Sequence, residues 1–278
     1  MPNVDLVVKI GGGEGIDTGP LLAELASLIR SDGGGERIVI VHGGSHATTE
    51  LARALGHPPR FITSASGRPS RRTDRTTLEA MAMACAGGMN TAIVETLRRL
   101  GVDAVGLTGL DAGIWIGPRK DAIRAVEDGR TVIIRDDLSG AVERVDAAFL
   151  SAILDAGRTP VLCPPAGTPD GIAINVDADR AAAATAIALG ARELLLLTNV
   201  VGVLDNPQDP TTLIERVAPG RSASVRAAAH GRMQNKVQGA EEAIAGGVGT
   251  VVIAQCHGAD AIARARAGRG TVFEGACA

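Results

Sequence analysis

Lys9 stands near the end of an apolar run and is followed by three glycines, in VVKIGGG from Val7 to Gly13. A β-branched run is a good strand former, and glycines directly after it let backbone N–H groups approach an anion with no Cβ in the way. The lysine adds a mobile positive charge, so the segment suits a highly charged phosphate. The pattern nearly recurs in IVIVHGGS, Ile38 to Ser45, and two adjacent strand ends could form one anion cradle. Strand carboxyl ends are where open α/β sheets bind ligands. Taken singly, either segment is also readable as a strand and a turn, with the lysine reaching out to water.

Three later segments carry further candidates. In INVDADRAAAATAIALG, Asn175, Asp177 and Asp179 surround a strand-to-helix transition. One of the two aspartates serves as a helix N-cap, which leaves the other for different work. LLLLTNVVGVLDNP, Leu194 to Pro207, is a buried strand ending in Thr198 and Asn199, then a loop with Gly202 and Leu204. It is an edge suited to nucleotide contact. HGRMQNKVQGAEEAI places Lys236 near the start of an amphipathic helix after Gly231; alone, such a lysine would read as solvated. The P-loop, the in-register G-x-G-x-x-G turn and the protein-kinase catalytic signature are absent, so nucleotide chemistry here needs another architecture.

The elements that must position these residues alternate. Strands are predicted at Val4 to Ile10, Arg37 to Val41, Ala104 to Leu107, Thr159 to Cys163, Glu193 to Leu197 and Thr250 to Ala254, with helical spacing at Leu21 to Arg30 and Asp177 to Leu189. That order predicts an α/β fold, an open, mostly parallel sheet sandwiched by helices. The longest predicted helix is Arg75 to Leu100. Thr76 and Glu79 fit a capping box there, and Leu78, Met81, Cys85, Met89, Ile93, Leu97 and Leu100 form an apolar stripe suited to packing, including against a second subunit. Ile114 to Val145 reads as antiparallel hairpins at an edge or lid, with a strand at Thr131 to Arg135. A soft boundary at Gly171 to Asn175 divides the chain into two lobes, 1–174 and 175–278.

Composition narrows the function classes. The 278 residues carry a net charge of −3, which argues against a general nucleic-acid binder. No apolar stretch is long enough to span a membrane and no signal sequence opens the chain, so a cytoplasmic protein is expected. Cys85, Cys163, Cys256 and Cys277 have no C-x-x-C spacing and indicate neither a zinc site nor a disulfide framework. With no tyrosine, three phenylalanines and one tryptophan, the core must be aliphatic and alanine-rich.

In order and spacing, VVKIGG, VHGG, RxTD at Arg71 to Asp74, INxDxD, LLLTNVxGVLD and GRMxxKVxxAxxAxxGGV resemble the amino acid kinase family, in its acetylglutamate kinase branch. The resemblance covers essentially the whole chain. GHPPRF, Gly56 to Phe61, followed by SRRTDRTTLE, Ser70 to Glu79, is similar more narrowly to kinases acting on aminoadipate or glutamate attached to a small acidic amino-group carrier protein of the LysW kind. Ser45, where acetylglutamate kinases usually show a third glycine, fits that narrower group; Thr48-Thr49 and Asp177 also depart from common patterns.

The resemblance implies phosphoryl transfer from ATP to a side-chain carboxylate. Lys9 and Lys236 would flank the transferred group, with Asp179 holding both ammonium groups. Gly11, Gly12 and Gly44 would offer N–H donors to the phosphoryl oxygens, and Gly43, Gly44 and Ser45 would form the acceptor loop. Arg71 would clamp the acceptor α-carboxylate with its planar fork, with Asn175 as its partner. Thr198, Asn199, Gly202 and Leu204 would contact the nucleotide, and Mg²⁺ would bridge phosphates rather than sit in a protein cage. The lobes would be an acceptor lobe, 1–174, with the dimer helix and hairpins, and a nucleotide lobe, 175–278, in a homodimer.

Between His57 and Arg75 the chain also carries Arg60, Arg68, Arg71, Arg72 and Arg75 against a single acid, Asp74. That cluster exceeds what a small acceptor needs and suits an acidic carrier, with Arg60, Arg68, Arg72 and Arg75 as contacts; it is also readable as an ordinary solvated loop. Two other functions remain open at this level: an acetylglutamate kinase of arginine synthesis, and a nucleotide-binding regulatory protein without catalysis. With the first strand near the start of the chain and no preceding helix of the kind found in arginine-inhibited forms, feedback inhibition is not expected.

Overall fold

The computed structural model describes residues 4–275 apart from 14, 16, 32–33, 65–68, 128–129, 219–220 and 230. Its main sheet has eight strands in the order Arg216–Val217, Thr271–Glu274, Thr250–Gln255, Glu193–Thr198, Leu6–Ile10, Ile38–His42, Thr159–Cys163, Ala104–Thr108. Neighbours run parallel except Thr250–Gln255 against Thr271–Glu274. All six predicted strands lie in it. The two outermost additions, Arg216–Val217 and Thr271–Glu274, were not foreseen, because strands of two and four residues are too short to show a period.

Leu6–Ile10, Ile38–His42 and Thr159–Cys163 are buried along their whole length, as parallel strands covered on both faces must be. Alternate residues divide between two cores. Val7, Val39, Val41, Leu194 and Leu196 pack against Ala178–Ala188 and Arg232–Ala245. Leu6, Val8, Ile38, Ile40 and Leu195 pack with Leu21, Leu25, Ile93, Leu97 and Ile262 on the other face. A strand's period of two therefore sends Lys9 to the same face as Val7, toward those two helices.

Of the predicted helix Arg75 to Leu100, all but the C-cap Leu100 is helical, but it is not one regular α-helix: Met83–Asn90 is a π-helical segment between Arg75–Ala82 and Thr91–Arg99. Most of the expected stripe is buried, including Leu78, Cys85, Ile93 and Leu97. The proposed capping box is corrected. Asp74 is the N-cap, its carboxylate accepting from Thr77 N at 2.8 Å, and an aspartate two positions ahead of Thr76 starts the helix earlier.

The expected hairpins form, in two small sheets. Ile123–Glu127 and Arg130–Ile134 pair antiparallel, and Phe61–Ser64 and Pro69–Arg71 extend the same sheet. Trp115–Ile116 and Arg144–Val145 belong to the other. Arg71 thus lies on a strand, not in a solvated loop. Cys85, Cys163 and Cys256 are buried free thiols, while Cys277 lies outside the described residues. No described helix is long and apolar enough to cross a membrane.

Candidate active site

Asp177 and Asp179 divide the work as one cap and one free carboxylate. Asp177 caps Ala178–Ala188, its Oδ1 accepting from Asp179 N and Arg180 N, each at 3.0 Å. Its Oδ2 accepts from Asn235 Nδ2 at 2.8 Å, which ties the cap to the helix carrying Lys236. Asp179, two residues further on, receives Lys9 Nζ at 2.8 Å on Oδ1 and Lys236 Nζ at 2.9 Å on Oδ2. All three side chains are buried, and the carboxylate sits midway between two ammonium groups from distant parts of the chain.

The helices meet closely enough for this because they are lined with small residues. Ala181, Ala182, Ala183 and Ala240 are fully buried, and a Cβ at Gly239 would stand 3.2 Å from Asp179 O.

The cluster carries two cations and one anion. Burial acts to raise the Asp179 pKa, but Lys236 and then Lys9 outweigh it and hold the carboxyl well below its usual range. Burial lowers the Lys9 pKa; Asp179 offsets part of that, and the like charge of Lys236 adds to the lowering. At Lys236 burial also lowers, but Asp179 prevails and the pKa is raised. One anion cannot fully compensate two ammonium groups, so the site holds surplus positive charge in a low-dielectric setting, suited to an incoming phosphate.

The glycine loops touch backbone to backbone. A Cβ on Gly12 would lie 2.7 Å from Gly43 C and Gly44 N, so only glycine allows this approach. His46 N donates to Gly12 O at 3.0 Å and fixes the pair. Gly44 is the N-cap residue of Ser45–Ala54, at the positive end of that helix. The expectation for Gly11 is corrected: its N–H is committed to Leu197 O at 3.0 Å, completing the strand ladder, and is not available to a phosphate.

Beneath Gly44 lies the π-helical segment, with Cys85 Sγ 2.5 Å and Met89 Sδ 3.3 Å from where a Cβ would stand. Gly44→Ala is accordingly expected to lower unfolding stability by about 1–3 kcal/mol through overpacking, with part of the loss restored in the Gly44→Ala/Cys85→Ala double variant. Denaturant titration checks both; an unchanged midpoint in the single variant would remove the argument.

Arg71 is held at the acceptor side. Its Nη2 donates to Thr49 Oγ1 at 2.8 Å and Ser45 O at 3.0 Å, its guanidinium lies 5.1 Å over the Phe61 ring, and its Nη1 is buried with no acceptor. A direct pairing with Asn175 is not present. Asn175 Nδ2 donates to Thr73 Oγ1 at 3.0 Å, and Thr73 stands between them by donating to Arg71 O. The sequence reading missed Asp137, a buried carboxylate that accepts from Thr73 N and Ser139 N, each at 2.8 Å, and so fixes this segment from the hairpins. It also passed over His42, which is buried, with Nδ1 3.2 Å from Gly43 O; burial holds its pKa down at about 4, so it stays neutral. VHGG was the visible signal for His42; nothing marked Asp137.

At the nucleotide edge, Thr198 is buried and Asn199, Val200 and Val201 are exposed. Gly202 differs from expectation. It is buried, and a Cβ there would meet Leu213 and Thr271 Oγ1 within 2.8 Å, so packing explains the glycine. Leu204 bridges to Leu213. Of the arginine cluster, Arg60 and Arg75 are exposed, Arg72 is paired with Asp136 at 2.7 Å, and Arg68 lies outside the described residues. Arg72 is therefore corrected from a free contact to an arginine engaged within the chain.

Residues 6–255 match the amino acid kinase family, and the chain belongs to that family. It is 49% identical over 96% of its length to [LysW]-aminoadipate kinase from Deinococcus radiodurans, covering 90% of that protein. It is 44% identical, again over 96% of its length, to the enzyme of the same name from Thermus thermophilus, covering 99% of it. Acetylglutamate kinases also match, at lower identity. In fold it is similar to carbamate kinase from Giardia, with a TM-score of 0.67 at 15% identity, over 98% of this chain and 99% of that one.

Proposed function

We propose that this protein transfers the γ-phosphoryl group of ATP to the side-chain carboxylate of L-2-aminoadipate, or of L-glutamate, borne on a small acidic carrier protein in lysine- or arginine-type biosynthesis. The observation that carries this reading is the buried Lys9–Asp179–Lys236 cluster beside two touching glycine loops. The names of the two relatives supply the acceptor class. Acceptor loop and carboxylate clamp would come from 1–174, and nucleotide contacts at Thr198 and Asn199 from 175–278. The enzyme would work in the cytoplasm as a homodimer, with the Arg75 to Leu100 helix in the interface.

The acceptor carboxylate is already ionised, so no general base is needed. One of its oxygens attacks the γ-phosphorus, the bond to the β–γ bridging oxygen breaks, and ADP leaves with that electron pair. The obstacle is repulsion between two anions, and the contribution required of the protein is charge placement. Lys9 and Lys236 would flank the transferring group, while Gly12 and Gly44 present N–H donors. Asp179 keeps both ammonium groups protonated and in place.

Magnesium would enter on the phosphate oxygens and supply further charge neutralisation. Both Asp179 oxygens already face lysines, and no group of three metal-capable side chains stands among the described residues, so the residues present do not fit a protein-held cage.

Purified protein with Mg·ATP and carrier-linked aminoadipate should release ADP and yield an acyl phosphate trappable by hydroxylamine. Turnover of free N-acetylglutamate with none of the carrier-linked acceptor would reject the carrier reading. Activity should also fall at alkaline pH. The lowered Lys9 pKa means its charge is lost below the ordinary lysine value of 10.5, and kcat/KM reports the free enzyme. A kcat/KM profile flat through pH 10.5 would contradict this role for Lys9.

A further inference from the structure

His42 ends the strand Ile38–His42 and is fully buried beside the glycine loops. It has no acid–base work to do there, since the acceptor carboxylate is already ionised. Its Nδ1 lies 3.2 Å from Gly43 O, and its Nε2 is buried with no partner. A carbonyl oxygen only accepts, so Nδ1 carries the proton and Nε2 is the bare acceptor. The opposite tautomer would set two lone pairs against each other and bury an unpaired N–H as well, two penalties in place of one. Burial keeps the ring neutral, with its pKa down at about 4.

The oxygen that His42 holds belongs to the peptide unit joining Gly43 to Gly44, which is trans. In a trans unit the C=O and N–H are coplanar and point opposite ways, so fixing Gly43 O fixes the direction of Gly44 N–H. Among the described residues that N–H has no acceptor, and it stands at the N-cap of Ser45–Ala54, open to an anion. Packing does not choose its direction. A Cβ on Gly12 would lie 2.7 Å from Gly43 C, Gly43 O and Gly44 N alike, so Gly12 covers the flat face of the unit without distinguishing its two edges. Rotating the unit by half a turn changes ψ of Gly43 and φ of Gly44 together, and glycine on both sides removes the Cβ clashes that resist such a flip elsewhere. The flipped unit would aim Gly43 O at the phosphoryl oxygens and replace an attraction by a repulsion.

We infer that His42 is a positioning residue for phosphoryl transfer: its Nδ1–H holds Gly43 O, and through that peptide unit it keeps Gly44 N–H, rather than a carbonyl, facing the transferring group. This rests on the kinase reading and gives the buried histidine of VHGG a role without touching the substrate.

The first test reads the protein alone. Two-bond ¹⁵N–¹H spectra of histidine-labelled protein, with the His42 signals identified by their loss in His42→Asn, should show a proton on Nδ1 and none on Nε2; a proton on Nε2 would overturn the inference whatever the activity. The second uses Mg·ATP and carrier-linked aminoadipate. His42→Phe keeps the ring without the donor, and its kcat should fall by about tenfold to a hundredfold while both KM values stay within about threefold, because the misdirected donor acts on the transition state. His42→Asn is smaller, but its Nδ2 stands close to where Nδ1 was, and it should recover kcat to within about threefold of wild type. A packing role predicts the opposite order, with the volume-filling Phe better than Asn. That order, or a His42→Phe kcat equal to wild type, would overturn the positioning role. The expected tautomer in a wild-type protein that turns over no carrier-linked aminoadipate would overturn the kinase reading alone.

Discussion

Asp179→Asn should destabilise the protein by about 3–5 kcal/mol at neutral pH, because it removes the carboxylate that both buried ammonium groups contact and leaves them without a direct counter-charge. In the wild type, Asp179 has its pKa depressed by Lys236 and Lys9 against the opposing effect of burial. Its stabilisation is therefore present above the unfolded carboxyl value of about 3.9 and lost as pH falls through the lower folded value. The variant reverses the problem. Its buried lysines have lowered pKa values, so the cost is full below those values and disappears as pH rises toward the unfolded lysine value of about 10.4. Denaturant titrations at pH 7 and pH 10.5 should show the gap to wild type closing at the higher pH, with kcat at pH 7 down by about a thousandfold. A stability loss under about 1 kcal/mol at pH 7 would mean that the cluster is not the electrostatic unit described above.

Lys236→Met and Lys9→Met should separate function from stability. Each leaves a one-to-one ion pair on Asp179 and replaces a cation by an apolar chain of similar length, so the unfolding free energy should stay within about 1 kcal/mol of wild type. Turnover should fall by about 10²–10⁴-fold, since each ammonium group opposes the charge on the transferring phosphoryl. A kcat within threefold of wild type in either variant would reject that residue's assignment. Loss of activity together with a collapse in stability would show the lysine to be structural.

The chemistry was legible where a local pattern has only one economical use. Lys9 and the first two glycine turns could be read because a buried parallel strand is continuously apolar and a lysine within it stands out. That one of Asp177 and Asp179 is a cap also followed from the chain alone, since a helix start needs its N–H groups satisfied. The π-helical turn at Met83–Asn90 could not be read, because the apolar stripe continues through it and the extra residue per turn is accommodated by packing against Gly44. The Gly11 N–H looked identical to its neighbours until strand register committed it to Leu197 O.

Residue type and order in this chain determined the alternating elements, the strand-end glycines and the family. Only the tertiary structure decided which charges remain available. Arg72 is paired with Asp136, Arg71 keeps one buried nitrogen without an acceptor, and Lys9 and Lys236 converge on Asp179 from distant parts of the chain. Pairing of side chains 57 or 64 residues apart in sequence depends on how strands and helices are stacked, and a one-dimensional pattern does not encode those distances.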